Sequence, residues 1–294
     1  MITGTGVALS GSLLPQALYA ASAKRITILH TNDMHSRIEP FPDDGGPFAN
    51  MGGMARRAAL IDKIRSQEPN VLLLDAGDIF QGTPYFNFYG GELEFKLMSK
   101  MKYDAATLGN HDFDNGMDGL LEQLPNASFN FVSSNYDFSD TILKNNFSPY
   151  QIFRKNGIRI GVFGLGIELE GLVAKENYGN TRYLDPIAIS SEMVQELKNK
   201  KCDLIICLSH LGYSYKSDKI DDRKLAAQVS GIDLIIGGHT HTFLDHPEEV
   251  VNPQGHKTLI NQVGWSGLKL GKVDFDFGKN NDITYANSKS LAIK

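Results

Sequence analysis

Five short apolar runs in this chain each stop at a residue able to carry charge or bind a cation. Ile26 to Leu29 runs into His30-Thr31-Asn32-Asp33-Met34-His35, and Val71 to Leu74 into Asp75-Ala76-Gly77-Asp78. A third run, closing near Leu108, leads into Gly109-Asn110-His111-Asp112-Phe113-Asp114. Leu204 to Leu208 is followed by Ser209-His210, and Leu234 to Ile236 by Gly237-Gly238-His239-Thr240-His241. Apolar runs without alternation suit strands buried on both faces. Open α/β sheets place ligand sites outside the carboxyl ends of their strands. Separate stretches of chain are therefore expected to converge there on one polar cluster.

Amphipathic stretches separate the runs. Met54 to Glu68, Glu92 to Lys102, Ile187 to Lys200 and Arg223 to Val229 read as helices. Ile152-Phe153 and Ile158 to Phe163 flank Asn156-Gly157, the signature of a hairpin turn. Thr258 to Val263 and Leu270 to Phe277 close the series. The pattern predicts one domain over residues 24–278, in the α/β or mixed α+β class, followed by a polar, frayed tail over 279–294.

With 29 Lys+Arg against 34 Asp+Glu, the net charge of −5 gives no basic stripe for nucleic acid. No internal apolar run reaches the roughly 18 residues of a transmembrane anchor. Residues 1–23 carry no charge, have an apolar middle and end in Ala21-Ser22-Ala23 ahead of Lys24-Arg25. This reads as a secretory signal peptide, hence export to a periplasmic or extracellular compartment. The missing basic n-region fits a start inside a longer precursor with a twin-arginine signal upstream. The two cysteines, Cys202 and Cys207, are read as unpaired core thiols on opposite faces of a strand.

The residues at the strand ends suit divalent metals. Imidazole nitrogen favours zinc, iron, nickel or copper, whereas carboxylate and amide oxygens favour manganese or magnesium. The set is too large for one tetrahedral ion, and two ions roughly 3.5–4 Å apart would use it fully. Such a pair needs a shared anion, and Asp78, after Gly77, is the natural bridge.

In order and spacing, Asp33-x-His35, Gly77-Asp78, Gly109-Asn110-His111-Asp112, His210 and Gly238-His239-x-His241 resemble the signature of calcineurin-like metallophosphoesterases. The strings His30 to His35 and Gly77-Asp78-Ile79-Phe80-Gln81-Gly82-Thr83 further resemble the catalytic, N-terminal domain of the exported 5′-nucleotidase family. The resemblance implies a four-layer αββα sandwich with two mixed sheets. It implies two divalent ions (manganese, zinc, iron, magnesium or calcium). One would be held by Asp33, His35, Asp78 and His241, the other by Asp78, Asn110, His210 and His239. An amide replaces His241 in some members. His111 matches the catalytic histidine and Asp114 the acid that orients it, with Asn110 and His111 also facing substrate.

The activity so implied is hydrolysis of a small-molecule phosphate monoester, above all a nucleotide, by in-line attack of a metal-bound hydroxide. A cyclic-nucleotide phosphodiesterase or nucleotide-sugar pyrophosphatase is the competing hydrolase reading, and a metal-free binding scaffold the non-enzymatic one. Family 5′-nucleotidases carry a C-terminal nucleotide-recognition domain that is not expected in this chain. A separate polypeptide supplying it, or a wider substrate range, is expected instead. Tyr85, Phe86, Phe88 and Tyr89 form an aromatic group read chiefly as ordinary packing, and Arg182 as a solvated surface cation. His246 and His256 need no function, and Gly161 to Gly166 lacks the dinucleotide-binding spacing.

Overall fold

The computed structural model describes residues 24–294. The signal-peptide expectation therefore lies outside the described residues. In the first half, β1 (Lys24–Thr31), α1 (Met54–Gln67), β2 (Val71–Asp75), α2 (Pro84–Tyr89), α3 (Glu92–Lys100), β3 (Ala105–Ala106), α4 (Gly116–Gln123) and β4 (Asn130–Phe131) follow one another. Next come β5 (Tyr136–Asp137), β6 (Tyr150–Lys155), β7 (Ile158–Leu165), α5 (Lys175–Tyr178), β8 (Arg182–Tyr183), α6 (Pro186–Asn199) and β9 (Leu204–Ser209). The chain closes with α7 (Asp222–Gln228), β10 (Leu234–Gly237), β11 (Glu248–Val251), β12 (Lys257–Asn261), β13 (Lys269–Phe277) and β14 (Ile283–Ala292).

Two six-stranded mixed sheets result, in the orders β14-β13-β1-β2-β3-β4 and β11-β12-β10-β9-β7-β6. The period of two along each strand assigns its side chains to two different cores. Ile26, Ile28, Leu72 and Leu74 meet Leu204, Ile206, Leu208 and Leu234 between the sheets. Leu29 and Leu73 turn the other way, onto Ile61, Phe95 and Met98 of the outer helices. Ile205, Cys207 and Ile235 likewise face Val194, Leu197 and Leu225 of α6 and α7. Both faces of the central strands are covered, which is why their sequences show no polar alternation. The four-layer expectation holds.

Strands β1, β2, β3 and β4 run parallel, as do β7, β9, β10 and β12. Their carboxyl ends consequently open on one edge of the sandwich. Between β6 and β7 the backbone turns through left-handed Asn156 (φ 51°) and Gly157 (φ 77°), as the Asn-Gly pair foretells.

The tail expected to fray over 279–294 is instead largely ordered. It pairs antiparallel with β13, from Lys269↔Ala292 to Phe277↔Ile283. Backbone pairing needs no apolar side chains, and a polar edge strand bearing Lys289 protects the sheet edge from further pairing. Beyond it, the Ile293 N–H donates to Leu268 O (2.9 Å) and its side chain is buried. The cysteines are free, as expected, but Cys202 precedes β9 rather than lying on it.

Candidate metal centre

All nine residues singled out from the sequence meet at the shared edge. Asp33 and His35 follow β1, Asp78 follows β2, and Asn110, His111 and Asp114 follow β3. His210 comes directly after β9, while His239 and His241 follow β10.

The loops carrying them are held in uncommon backbone. Asp33 (φ 50°), His35 (φ 47°), Asp78 (φ 56°), His239 (φ 69°) and His241 (φ 52°) all sit in the left-handed region. Such residues cost free energy and persist where the surroundings over-determine them. Close packing supplies the constraint. A Cβ on Gly109 would lie 2.1 Å from Asp78 Oδ1, and one on Gly238 would lie 2.7 Å from His210 Nδ1. Only glycine lets these backbones approach the carboxylate and the imidazole.

Two donor groups emerge, Asp33 with His35 and His241, and Asp78 with His210 and His239. Within each, one donor atom per residue lies within 4.8 Å of the others. In the first, His35 Nε2 and His241 Nε2 are 2.9 Å apart, and His241 Nε2 is 3.4 Å from Asp33 Oδ1. In the second, His210 Nε2 lies 3.0 Å from Asp78 Oδ2. The same Asp78 Oδ2 is 3.9 Å from His35 Nε2, so this one oxygen faces both groups. Asn110 joins the second group, its Oδ1 2.9 Å from His239 Nδ1.

Three observations fit a metal. His210 Nε2 is fully buried yet off the line of a hydrogen bond to Asp78, leaving it unpartnered. Its other nitrogen, Nδ1, lies 2.7 Å from Ala76 O, the arrangement in which Nδ1–H donates and Nε2 presents a lone pair. His35 repeats this with Nδ1 3.3 Å from Phe80 O. The donor chemistry, imidazole with carboxylate and amide oxygen, is that of borderline divalent ions.

The charges are strongly coupled. Burial opposes ionisation of Asp78, but the imidazoles of His210, His35 and His111 outweigh it and hold the carboxyl below its usual range. Burial likewise opposes protonation of His210, but Asp78 and Asp33 raise it to about 10. Burial, then repulsion from His210, lowers His239 to about 4, and burial lowers His35.

Several residues that frame the site went unassigned at the sequence level. Asp112 accepts from four backbone amides, those of Asp78 (3.1 Å), Ile79 (3.0 Å), Phe80 (3.2 Å) and Gly109 (2.8 Å). It thereby ties the second and third strand-end loops together. Asn32 donates to Asp33 Oδ2 and Gly264 O, both at 2.6 Å. Gln262 donates to Gly238 O (2.6 Å) and accepts from Thr240 Oγ1 (3.1 Å), bracing the His239–His241 turn. The Asp112 signal was present inside the quoted motif. Asn32 and Gln262 gave none, because Gly264 and Val263, which Asn32 bonds, and Gly238 and Thr240, which Gln262 bonds, are more than twenty residues distant.

His111 stands beside the donors, its ring centroid 5.3 Å from that of His35, and its Nδ1 is 2.9 Å from Asp114 Oδ2. The hydrogen bond to Asp114 raises its pKa against the opposing effect of burial. A cleft of about 470 Å³, lined in part by His35, Arg37, Phe41, His111, His241 and Trp265, opens over the site.

Residues 26–243 match the family model for calcineurin-like phosphoesterases. The chain belongs to that family. It is 32% identical to a snake venom 5′-nucleotidase of Crotalus adamanteus, across 93% of this chain and 49% of that protein. Among solved structures, the 5′-nucleotidase precursor of Thermus thermophilus superposes with a TM-score of 0.84 at 35% identity, covering 92% of this chain and 55% of that one. The NAD nucleotidase of Haemophilus influenzae gives 0.80 at 30% identity, covering 92% and 51%. The chain thus spans about half the length of these relatives. A calcineurin-like phosphoesterase uses two divalent metals, and the two donor groups match that number.

Proposed function

We propose that this chain is the catalytic part of a metal-dependent phosphoric ester hydrolase that removes phosphate from nucleotides, as a 5′-nucleotidase does. The observation that carries this reading is Asp78 Oδ2 facing both donor groups, the arrangement a shared anion between two cations requires. Asp33, His35, Asp78 and His241 would hold one ion, and Asp78, Asn110, His210 and His239 the other. When bound, such ions neutralise phosphate oxygens and lower the pKa of water.

The chain's own groups have defined tasks. The phosphate sits against Asn110 and His111, at the mouth of the cleft. Attack by water oxygen on phosphorus breaks the phosphorus–oxygen ester bond and leaves an alkoxide. His111, half-buried and with its protonated form favoured by the hydrogen bond to Asp114, stabilises the developing charge and gives the alkoxide its proton. Asp114 keeps the imidazolium aimed.

A hydrolysis screen over nucleoside monophosphates, cyclic nucleotides and nucleotide sugars, with manganese, zinc or magnesium, tests the assignment. Turnover of monophosphates that disappears in Asp78→Asn is the expected result. Exclusive turnover of the other two classes would transfer the reading to a diesterase or pyrophosphatase. Inertness with every ion would leave a binding scaffold.

Export is proposed on the small-x-small pattern of Ala21-Ser22-Ala23. A mature protein beginning near Lys24 outside the cytoplasm is expected. Among the described residues no helix is long and apolar enough to cross a membrane. A second polypeptide carrying the relatives' other half is a further proposal, tested by nucleotide turnover that rises when it is added.

A further inference from the structure

Arg37 follows His35 by two residues yet ends at the mouth of the site rather than in its floor. Left-handed His35 and Ser36 (φ 52°), with the Arg37 N–H donating to Met34 O at 3.0 Å, turn the chain sharply between them. The Arg37 guanidinium carbon lies 3.8 Å above the Phe41 ring. Phe41 meets Trp265 edge-on, with centroids 5.8 Å apart, and Trp265 stacks on His241 at 5.9 Å and 10°. A row of flat groups thus links the guanidinium to a metal-site imidazole. Stacking occupies one face of the fork and leaves its N–H edge available, in a fixed orientation.

That edge has no carboxylate within 4.0 Å among the described residues, whereas Arg25, Arg182 and Arg223 each hold one. No carboxylate lines the cleft over the metal site either; Asp33 and Asp78 lie buried below it. Arg37 and Thr83 also line an adjoining cleft of about 390 Å³ that includes Glu39, Tyr85, Phe88 and Tyr89. Phe88 is 82% exposed and Tyr89 51%, while Phe86 is buried against Phe80. The aromatic group thus divides into one core residue and exposed rings beside the site. Arg37 stands on the boundary between the two clefts.

The phosphate being hydrolysed already has the metal donors, Asn110 and His111. A permanent cation one step outward, with no carboxylate within 4.0 Å among the described residues, suits a different anionic group. We infer that Arg37 is a specificity-determining residue that binds a second phosphate, outward of the scissile one, in substrates such as nucleoside diphosphates. This rests on the phosphoesterase reading above. The exposed rings beyond Arg37 offer flat apolar surface to the nucleoside part.

Two measurements on the metal-loaded enzyme test the inference. In the first, kcat/KM for ADP and AMP is compared in wild type, Arg37→Gln and Arg37→Lys. The ADP:AMP ratio should fall at least about tenfold in Arg37→Gln, mainly through KM for ADP, and recover in part in Arg37→Lys, as expected for a charge-assisted contact. An equal loss on both substrates, leaving the ratio unchanged, overturns it. The second uses Trp265, the one tryptophan in the sequence, as a fluorescence reporter within the cleft. Titrated with inorganic pyrophosphate and with phosphate, wild type should prefer pyrophosphate by about tenfold or more, and Arg37→Gln should lose that preference. A preference that survives in Arg37→Gln, or is absent from wild type, contradicts the role. A wild type that hydrolyses neither nucleotide sinks the phosphatase reading, and the titration still decides Arg37.

Discussion

Two imidazoles, one from each donor group, differ in depth. His210 is fully buried, anchored through Nδ1 to Ala76 O, and surrounded by the Gly77, Gly109 and Gly238 backbones. The side chain of His241 is 40% exposed and leans on Trp265 at the rim of the cleft. Each group combines two buried residues with one half-exposed imidazole, so the contrast lies between these two side chains and not between the groups. Depth fixes geometry, because a buried imidazole with its second nitrogen engaged has one orientation available. The exposed imidazole relies on a stacking partner and can yield. The buried imidazole is therefore the more demanding of the two.

Two predictions test that contrast. His210→Ala should reduce turnover by more than about 100-fold, since even the outer partners of metal ligands are worth roughly 10- to 100-fold. His241→Ala should cost only about tenfold and be partly rescued by excess manganese, as shown by activity against metal concentration. Equal losses, or rescue of the deep variant alone, would reverse the ranking.

A loss comparable to that of His210→Ala is expected at His111, but without loss of metal. His111→Ala should lower kcat by about 10²-fold or more while metal content stays constant. Asp114 raises the His111 pKa, so Asp114→Asn lowers it, and the alkaline limb of kcat/KM should move to lower pH. A limb that stays in place would assign it to another group.

The smallest effect lies far from the site. The hydrogen bond from Arg25 holds Asp276 below the usual carboxyl range. This contribution is present above the unfolded pKa of about 4 and is lost as pH falls through the folded value. Arg25 is half exposed and screened, so Asp276→Asn should cost no more than about 1 kcal/mol near neutrality and flatten the acid side of the stability curve. Urea titrations at several pH values measure it. A loss as large as that of a core deletion would show the edge strands to be more tightly coupled than their exposure indicates.

Much of the site was legible because its chemistry is local. Each donor follows its own strand within a few residues, so apolar run and ligand could be read together. The four-layer sandwich followed from the resemblance, and the strands' double burial explains why they lacked alternation. What escaped was set at a distance. Asn32, Gln262 and Trp265 matter only once β1, β10 and the segment after β12 are side by side. Arg37 needed the left-handed turn at His35 and Ser36 to be known. The strand Ile283–Ala292 was missed because backbone pairing holds it, and backbone pairing writes no apolar pattern into a sequence.

Anomalous diffraction from crystals grown with manganese is the most direct test. Two peaks should appear per chain, one among Asp33, His35 and His241 and one among Asp78, His210 and His239, with Asp78 Oδ2 in contact with both. A single peak, or two that do not share Asp78, would contradict the shared-carboxylate centre.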